Sequence, residues 1–206
     1  MGRGDPLKSA LNGALNGVTN GAMNGATNAS APRYGRTAIV LHWLLALLLI
    51  GMLTIGFYMT GLARNTPERG WWFNLHKSLG VVALVLIVLR LAWRATHRPP
   101  PLPAAMSALE VRLAHWSHGA LYALMTLQVS TGFVSSSLNT YGITVFGLPL
   151  PAWGVQAPAL RDALVAAHHM FAWAFAALVV VHVLAAFKHA LWDRDDVMRR
   201  MLSNRP

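Results

Sequence analysis

Residues 163–192, ALVAAHHMFAWAFAALVVVHVLAAFKHALW, form an apolar stretch long enough to cross a bilayer, and it holds four histidines: His168, His169, His182 and His189. About 20 predominantly apolar residues span the hydrocarbon core as a helix. Backbone groups in lipid must find partners within their own segment, so the stretch reads as a helix and not as an open strand. Ionisable or metal-ligating side chains at that depth are costly and call for a function. Spacing sorts them. At 100° per residue, His168 and His182 fall within about 40° of one helix face and about 21 Å apart along the axis. His169 points elsewhere. One helix therefore offers two imidazoles on one stripe, one near each membrane surface.

Three further apolar stretches precede it, at 38–62, 75–95 and 113–136. Four spans predict an all-α integral membrane four-helix bundle over residues 38–192. The segments between them break helices: 64–72 is polar with Pro67, 97–103 reads HRPPPLP, and 139–158 is rich in Gly and Pro. The net charge of +10 raises nucleic acid as a partner, but the basic residues flank apolar spans and form no patch, so no nucleic-acid partner is expected. Arg33, Arg36, Arg94, Arg98, Arg112, Lys188, Arg194, Arg199, Arg200 and Arg205, with Arg3 and Lys8, fall on one side. Only Arg64, Arg69, Lys77 and Arg161 fall on the other. The positive-inside rule then places both termini, and a basic tail at 193–206, in the cytoplasm. Trp71, Trp72, Trp153 and Trp192 sit where interfacial aromatic belts are expected. Residues 1–37 repeat Asn-Gly every few positions, favour turns, and predict a disordered extension.

Topology pairs the histidines by depth. His42 lies early in the first span and His182 late in the fourth, at the cytoplasmic level. His76 opens the second span and His168 the fourth, at the outer level. Two bis-histidine sites in a bundle interior result. The absence of cysteine excludes disulfides, iron–sulfur clusters and covalent c-type haem. A closed zinc site generally wants four protein ligands, and each level offers two. Two axial imidazoles with four porphyrin nitrogens instead complete an octahedral haem iron, so His42, His76, His168 and His182 are the expected axial ligands of two haem b groups. Such a centre moves electrons and needs no catalytic nucleophile or base.

Other residues fit around them. Arg90, fourteen after His76, is a candidate to pair with propionates of the inner haem or to snorkel to the interface. Gly56, fourteen after His42, allows a flat macrocycle to approach closely. His115 and His118 are candidates to line a propionate or quinone pocket behind the iron ligands, or to displace His42 as a ligand. His189 is a candidate contact for a quinone head group or for lipid head groups. His97 and His169 have no assigned role.

The fragments YGRTAIVLHWLLALLL, WFNLHKSLGVVALVLIVLRLAWR, RLAHWSHGALYALM and HHMFAWAFAALVVVHVLAAFKHALW resemble the four helices of the bacterial cytochrome b-561 family, over about residues 34–202. The resemblance implies the same pairing, His42 with His182 and His76 with His168. It further implies an inner-membrane oxidoreductase, as in the small diheme members that oxidise superoxide at the outer haem and reduce ubiquinone near the inner one. His189 matches a position at the quinone end. The family also contains haem b subunits that link the quinone pool to a periplasmic redox protein or dehydrogenase. Lys77, Arg64, Arg69 and Arg161 form an outer rim able to steer a small anion.

Overall fold

The computed structural model describes residues 33–140, 142–151 and 156–202. Residues 1–32, Trp153 and Arg205 lie outside the described residues, and with them nearly all of the Asn-Gly extension. The described part is four long helices, a two-stranded hairpin and a short final helix. Helix α1 (Arg36–Gly61) is apolar almost throughout and stops where Leu62 turns extended. Helix α2 (Pro67–Thr96) begins earlier than the apolar pattern suggests. The Thr66 side chain accepts from Arg69 N–H, and Pro67 sits in the first turn, where its missing N–H costs nothing. The polar segment 64–72 is thus largely the first turns of a helix and not a loop. Three consecutive prolines from Pro99 keep the chain after His97 out of helix.

Helix α3 (Ala108–Ser137) starts on a capping box. Ser107 N–H donates to Glu110 Oε2 at 2.9 Å, and Glu110 N–H donates to Ser107 Oγ at 3.3 Å. Strands β1 (Thr144–Val145) and β2 (Leu148–Pro149) pair antiparallel in the segment that sequence reads as irregular. Ser78, buried on α2, holds this hairpin: its hydroxyl lies 3.1 Å from Thr144 O and accepts from Phe146 N–H at 2.9 Å. Helix α4 (Pro158–Lys188) runs into a π-helical turn, His189–Asp193, and the chain reverses at Arg194, which adopts a left-handed backbone at φ 51°. Helix α5 (Arg199–Leu202) folds back: Trp43 Nε1–H donates to Met201 O at 2.7 Å, and Arg200 donates to Pro101 O at 2.7 Å.

One interior cluster ties the four long helices together: Leu45 and Leu49 of α1, Ala83 and Ile87 of α2, Met125 and Val129 of α3, and Phe175 of α4. Each pair is spaced i, i+4, so each helix turns one narrow stripe inward. The rest stays apolar and outward, as Leu47, Val88 and Leu184 illustrate. A helix apolar all round belongs in a membrane or a large core. Helices α1, α2 and the α4 segment through Asp193 are long and apolar enough to cross a bilayer. Helix α3, expected as a fourth span, has the length but falls short in apolarity. It spends positions on Gln128 and on Thr126, Thr131 and Ser135, the last three bonding their hydroxyls to carbonyls of the preceding turn, as Thr131 does to Leu127 at 2.7 Å. Several of these polar groups face the site.

Candidate cofactor site

Neighbouring helices pack in chain order, α1 on α2, α2 on α3 and α3 on α4, while α1 and α4 make no extensive backbone contact among the described residues. Side chains bridge that seam. Phe57 meets Trp173 with ring centres 4.6 Å apart, and His42 meets His182 at 6.4 Å with ring planes at 62°. At the other end His76 of α2 reaches His168 of α4, with ring centres 6.2 Å apart and planes at 89°. Helix α4 thus contributes one histidine to each pair.

These separations have chemical meaning. A metal–imidazole bond is about 2.0–2.1 Å and the ring centre lies about 1.1 Å beyond the nitrogen, so trans imidazoles on one metal have centres about 6.3 Å apart. Both observed pairs match that spacing. Ring planes that cross at a steep angle are compatible with two ligands on opposite faces of a flat group.

The outer pair is held by neutral groups. His168 Nδ1 lies 2.9 Å from Gln128 O and 3.4 Å from Thr131 Oγ1. A carbonyl only accepts, so Nδ1 carries the proton and Nε2 keeps a bare lone pair, 3.2 Å from the Gln128 amide nitrogen. Fixing one ring nitrogen on a carbonyl is how proteins orient a metal-binding imidazole. Two glycines line the rings. A Cβ at Gly132 would lie 2.8 Å from His168 Cε1, and one at Gly56 would lie 3.4 Å from His76 Cε1. Gly56 therefore does face the outer site. The buried His76 Nδ1 and Gln128 Oε1 have no hydrogen-bond partner among the described residues, and a group bound between the rings would give them one. A cavity of about 310 Å³ opens here, lined by both histidines, Gly80, Gln128 and Gly132 and edged by Lys77 and Arg161.

The inner pair has a cation beside it. Arg90 donates to Ala38 O at 3.2 Å, lies 3.4 Å from His42 Nδ1 and stacks over Tyr122. The two histidines of α3 part company. His118 comes within 5.5 Å of His182 between ring centres, its Nδ1 donating to Ala114 O at 2.6 Å. His115 is exposed and its Nδ1 donates to Val111 O at 2.7 Å. His189, on the π-helical turn, has Nδ1 2.6 Å from Asp195 Oδ2 and 3.1 Å from Asp193 Oδ2. His97 stacks on Trp93; His169 is exposed, with its ring centre 6.4 Å from that of His168 and its side chain at the same cavity. Of the outer rim, Arg161 pairs with Asp162 at 2.8 Å, Lys77 donates to Gly142 O at 3.3 Å, and Arg69 donates to Leu62 O.

Sequence reasoning passed over Gln128, Thr131 and Gly132. Their signal was a polar pair and a glycine three to four residues apart within one otherwise apolar stretch, which places them on one helix face.

Histidine pairs bridging the helices of an apolar bundle, with one imidazole fixed on a carbonyl, are the kind of site at which a membrane protein could hold a redox group. Residues 33–204 match the family model described as prokaryotic cytochrome b561. The chain is 36% identical over 177 residues to "Cytochrome b561 homolog 2" of Escherichia coli K12, covering 82% of this chain and 91% of that relative. It is 28% identical over 170 residues to "Probable superoxide oxidase CybB" of Yersinia pestis, covering 82% of this chain and 96% of that one. The chain belongs to the prokaryotic cytochrome b561 family, and is a membrane electron-transfer protein for which b-type haem is the implied cofactor.

Proposed function

We propose that the protein carries electrons from superoxide at the outer membrane face, through two haem b groups, to ubiquinone at the inner face. The observation that carries this reading is the pair of cross-helix histidine couples whose ring centres, 6.4 and 6.2 Å apart, leave the room that a metal-centred group between two imidazoles would need. His42 and His182 would hold the inner haem and His76 and His168 the outer one, with α3 crossing the membrane beside the three more apolar helices. A haem held between two imidazoles supplies one-electron transfer and offers no open axial position. Two superoxide ions each give up one electron and become dioxygen; one ubiquinone takes both electrons and two protons and becomes ubiquinol.

The residues divide the work. Gln128 and Thr131 orient His168. Lys77 edges the outer cavity and attracts a small anion toward it. His189, steadied by Asp195, stands where a quinone head group arriving from the lipid finds a polar partner. Both termini and the basic tail lie in the cytoplasm, in an inner bacterial membrane.

A second reading has its own support. Phe146 and Leu148 at the hairpin are exposed, and the hairpin is anchored on buried Ser78. A firmly held apolar tip on the outer side suits docking of a periplasmic redox protein, with the same haems serving as its link to the quinone pool.

The deciding measurement is a reduced-minus-oxidised spectrum of the purified protein as superoxide is supplied, with and without ubiquinone. Rapid haem reduction followed by reoxidation on adding quinone is the expected result. Two b-type haems indifferent to superoxide transfer the assignment to the second reading, and a colourless protein refutes both.

A further inference from the structure

The inner level holds one histidine more than a haem needs. His182 has two imidazoles near it, His42 at 6.4 Å and His118 at 5.5 Å between ring centres, and these three come from α1, α3 and α4. At the outer level the third imidazole among the described residues is His169, the chain neighbour of His168 on the same helix, so no third helix supplies one there.

The two rivals for the position opposite His182 differ in readiness. His118 donates Nδ1–H to Ala114 O at 2.6 Å, which leaves Nε2 with a bare lone pair. His42 Nδ1 faces Arg90 Nη2 at 3.4 Å, and a guanidinium only donates, so there the bare lone pair is on Nδ1. Binding through Nε2 requires His42 to move its proton and to release Arg90. Distance favours His42 instead, because 6.4 Å already matches the trans spacing of about 6.3 Å, whereas 5.5 Å must open by nearly 1 Å. His118 is exposed at the edge of α3, so its ring has room to swing through that distance.

We propose that His118 is a reserve axial ligand of the inner site: when His42 is removed or displaced, His118 Nε2 takes the iron position opposite His182. The site then stays six-coordinate, closed to dioxygen and confined to electron transfer. This rests on the reading of His42 and His182 as the inner haem ligands.

The test uses full-length protein purified with haem, and reads haem content by pyridine haemochrome, spin state by electron paramagnetic resonance, and carbon monoxide binding by optical difference spectra. Wild type should show two low-spin haems that do not bind carbon monoxide; fewer than two haems, or a haem that binds it, overturns the underlying assignment of two bis-histidine sites. His42→Ala should keep two low-spin haems, one with displaced g values, and should still ignore carbon monoxide. The double variant His42→Ala with His118→Ala should bind carbon monoxide at one haem, or lose that haem. His118→Ala alone should match wild type in spin state. If His42→Ala by itself binds carbon monoxide or lacks a haem, as His182→Ala should, the reserve role is wrong while the inner assignment stands. Where His42→Ala does not assemble, His42→Gln replaces it, since glutamine keeps a partner for Arg90 and is a poor iron ligand. The low-spin signal of the outer haem reports correct folding throughout.

Discussion

Gly132→Ala isolates the fit of α3 against the outer histidine. The added Cβ would lie 2.8 Å from His168 Cε1, closer than real Cβ atoms come to such a neighbour, and a tight 3.1 Å from its Nδ1. His168 cannot simply retreat, because Gln128 O holds its Nδ1–H at 2.9 Å and Thr131 Oγ1 lies 3.4 Å away. Overpacking an interior position costs about 1–3 kcal/mol. Replacing a helical glycine by alanine returns about 0.8–1.0 kcal/mol of backbone preference. The net is a loss of about 0–2 kcal/mol, expressed at the outer site as a tilted or displaced imidazole. Gly51→Ala and Gly56→Ala are the controls. Nothing lies within 4 Å of a Cβ at Gly51, and at Gly56 the nearest atom is His76 Cε1 at 3.4 Å, an ordinary contact. Thermal loss of the Soret band in detergent, with electron paramagnetic resonance of the low-spin signals, reads both effects. Gly132→Ala should lose haem at a lower temperature than either control and broaden the outer signal alone. If Gly132→Ala is as stable as Gly51→Ala, with unchanged spectra, the close approach of α3 to His168 is wrong.

Four other substitutions probe separate links. His168→Ala should leave one haem per chain by pyridine haemochrome while the inner low-spin signal persists; retention of two low-spin haems would remove His168 from the ligand set. Arg90→Gln should lower the inner midpoint potential relative to the outer one in a redox titration, because a cation beside His42 favours the electron-rich state. Glu110 lies before the span, and the ammonium of Lys188 at 2.8 Å, helped by Ser107, holds its carboxyl down to about 2 from the usual 4.5. Its contribution is complete above that usual value and disappears as pH falls toward 2. Glu110→Gln should therefore lower the melting temperature slightly at neutral pH and flatten its decline between pH 4.5 and 2, an effect that salt screens. Trp43→Phe deletes the bond to Met201 O, worth about 0.5–1.5 kcal/mol, and should speed hydrogen exchange in residues 199–202 without altering the haem spectra.

Much of this architecture is legible from residue spacing. Fourteen residues between His168 and His182 settle both face and depth on one rigid helix, and topology then delivers His42 and His76 to the matching levels. The limits of the helices are less legible, since Pro67 and Pro158 read as helix breakers yet occupy first turns, where proline is tolerated. The polarity of α3 misleads in another way: Thr126, Thr131 and Ser135 satisfy themselves on backbone carbonyls, so hydropathy undercounts how a helix like this can be packed. Divergence of His115 from His118 follows from their three-residue separation, about 60° short of a full turn, which no motif announces. The hairpin and its anchor on Ser78 join positions more than sixty residues apart, and no local pattern signals such a contact.

The two histidine pairs are alike in spacing and unlike in charge, and that difference bears on the direction of electron flow. At the outer pair the groups touching His168 are a carbonyl, a hydroxyl and an amide, all neutral. At the inner pair a guanidinium lies 3.4 Å from His42 Nδ1. A unit charge about one imidazole away from a metal centre shifts its electron affinity on the order of 2 kcal/mol at an effective dielectric constant of about 20. The outer cations act more weakly: Arg161 is spent on Asp162, and Lys77 sits at the cavity edge, donating to Gly142 O. In the proposed arrangement an electron entering at the His76–His168 level would find a more favourable position at the His42–His182 level, toward the side where Arg94, Arg98, Arg199 and Arg200 also lie. The same cations would make the reverse transfer uphill, so a bundle holding similar groups at both levels would acquire a preferred direction from one arginine placed beside one histidine.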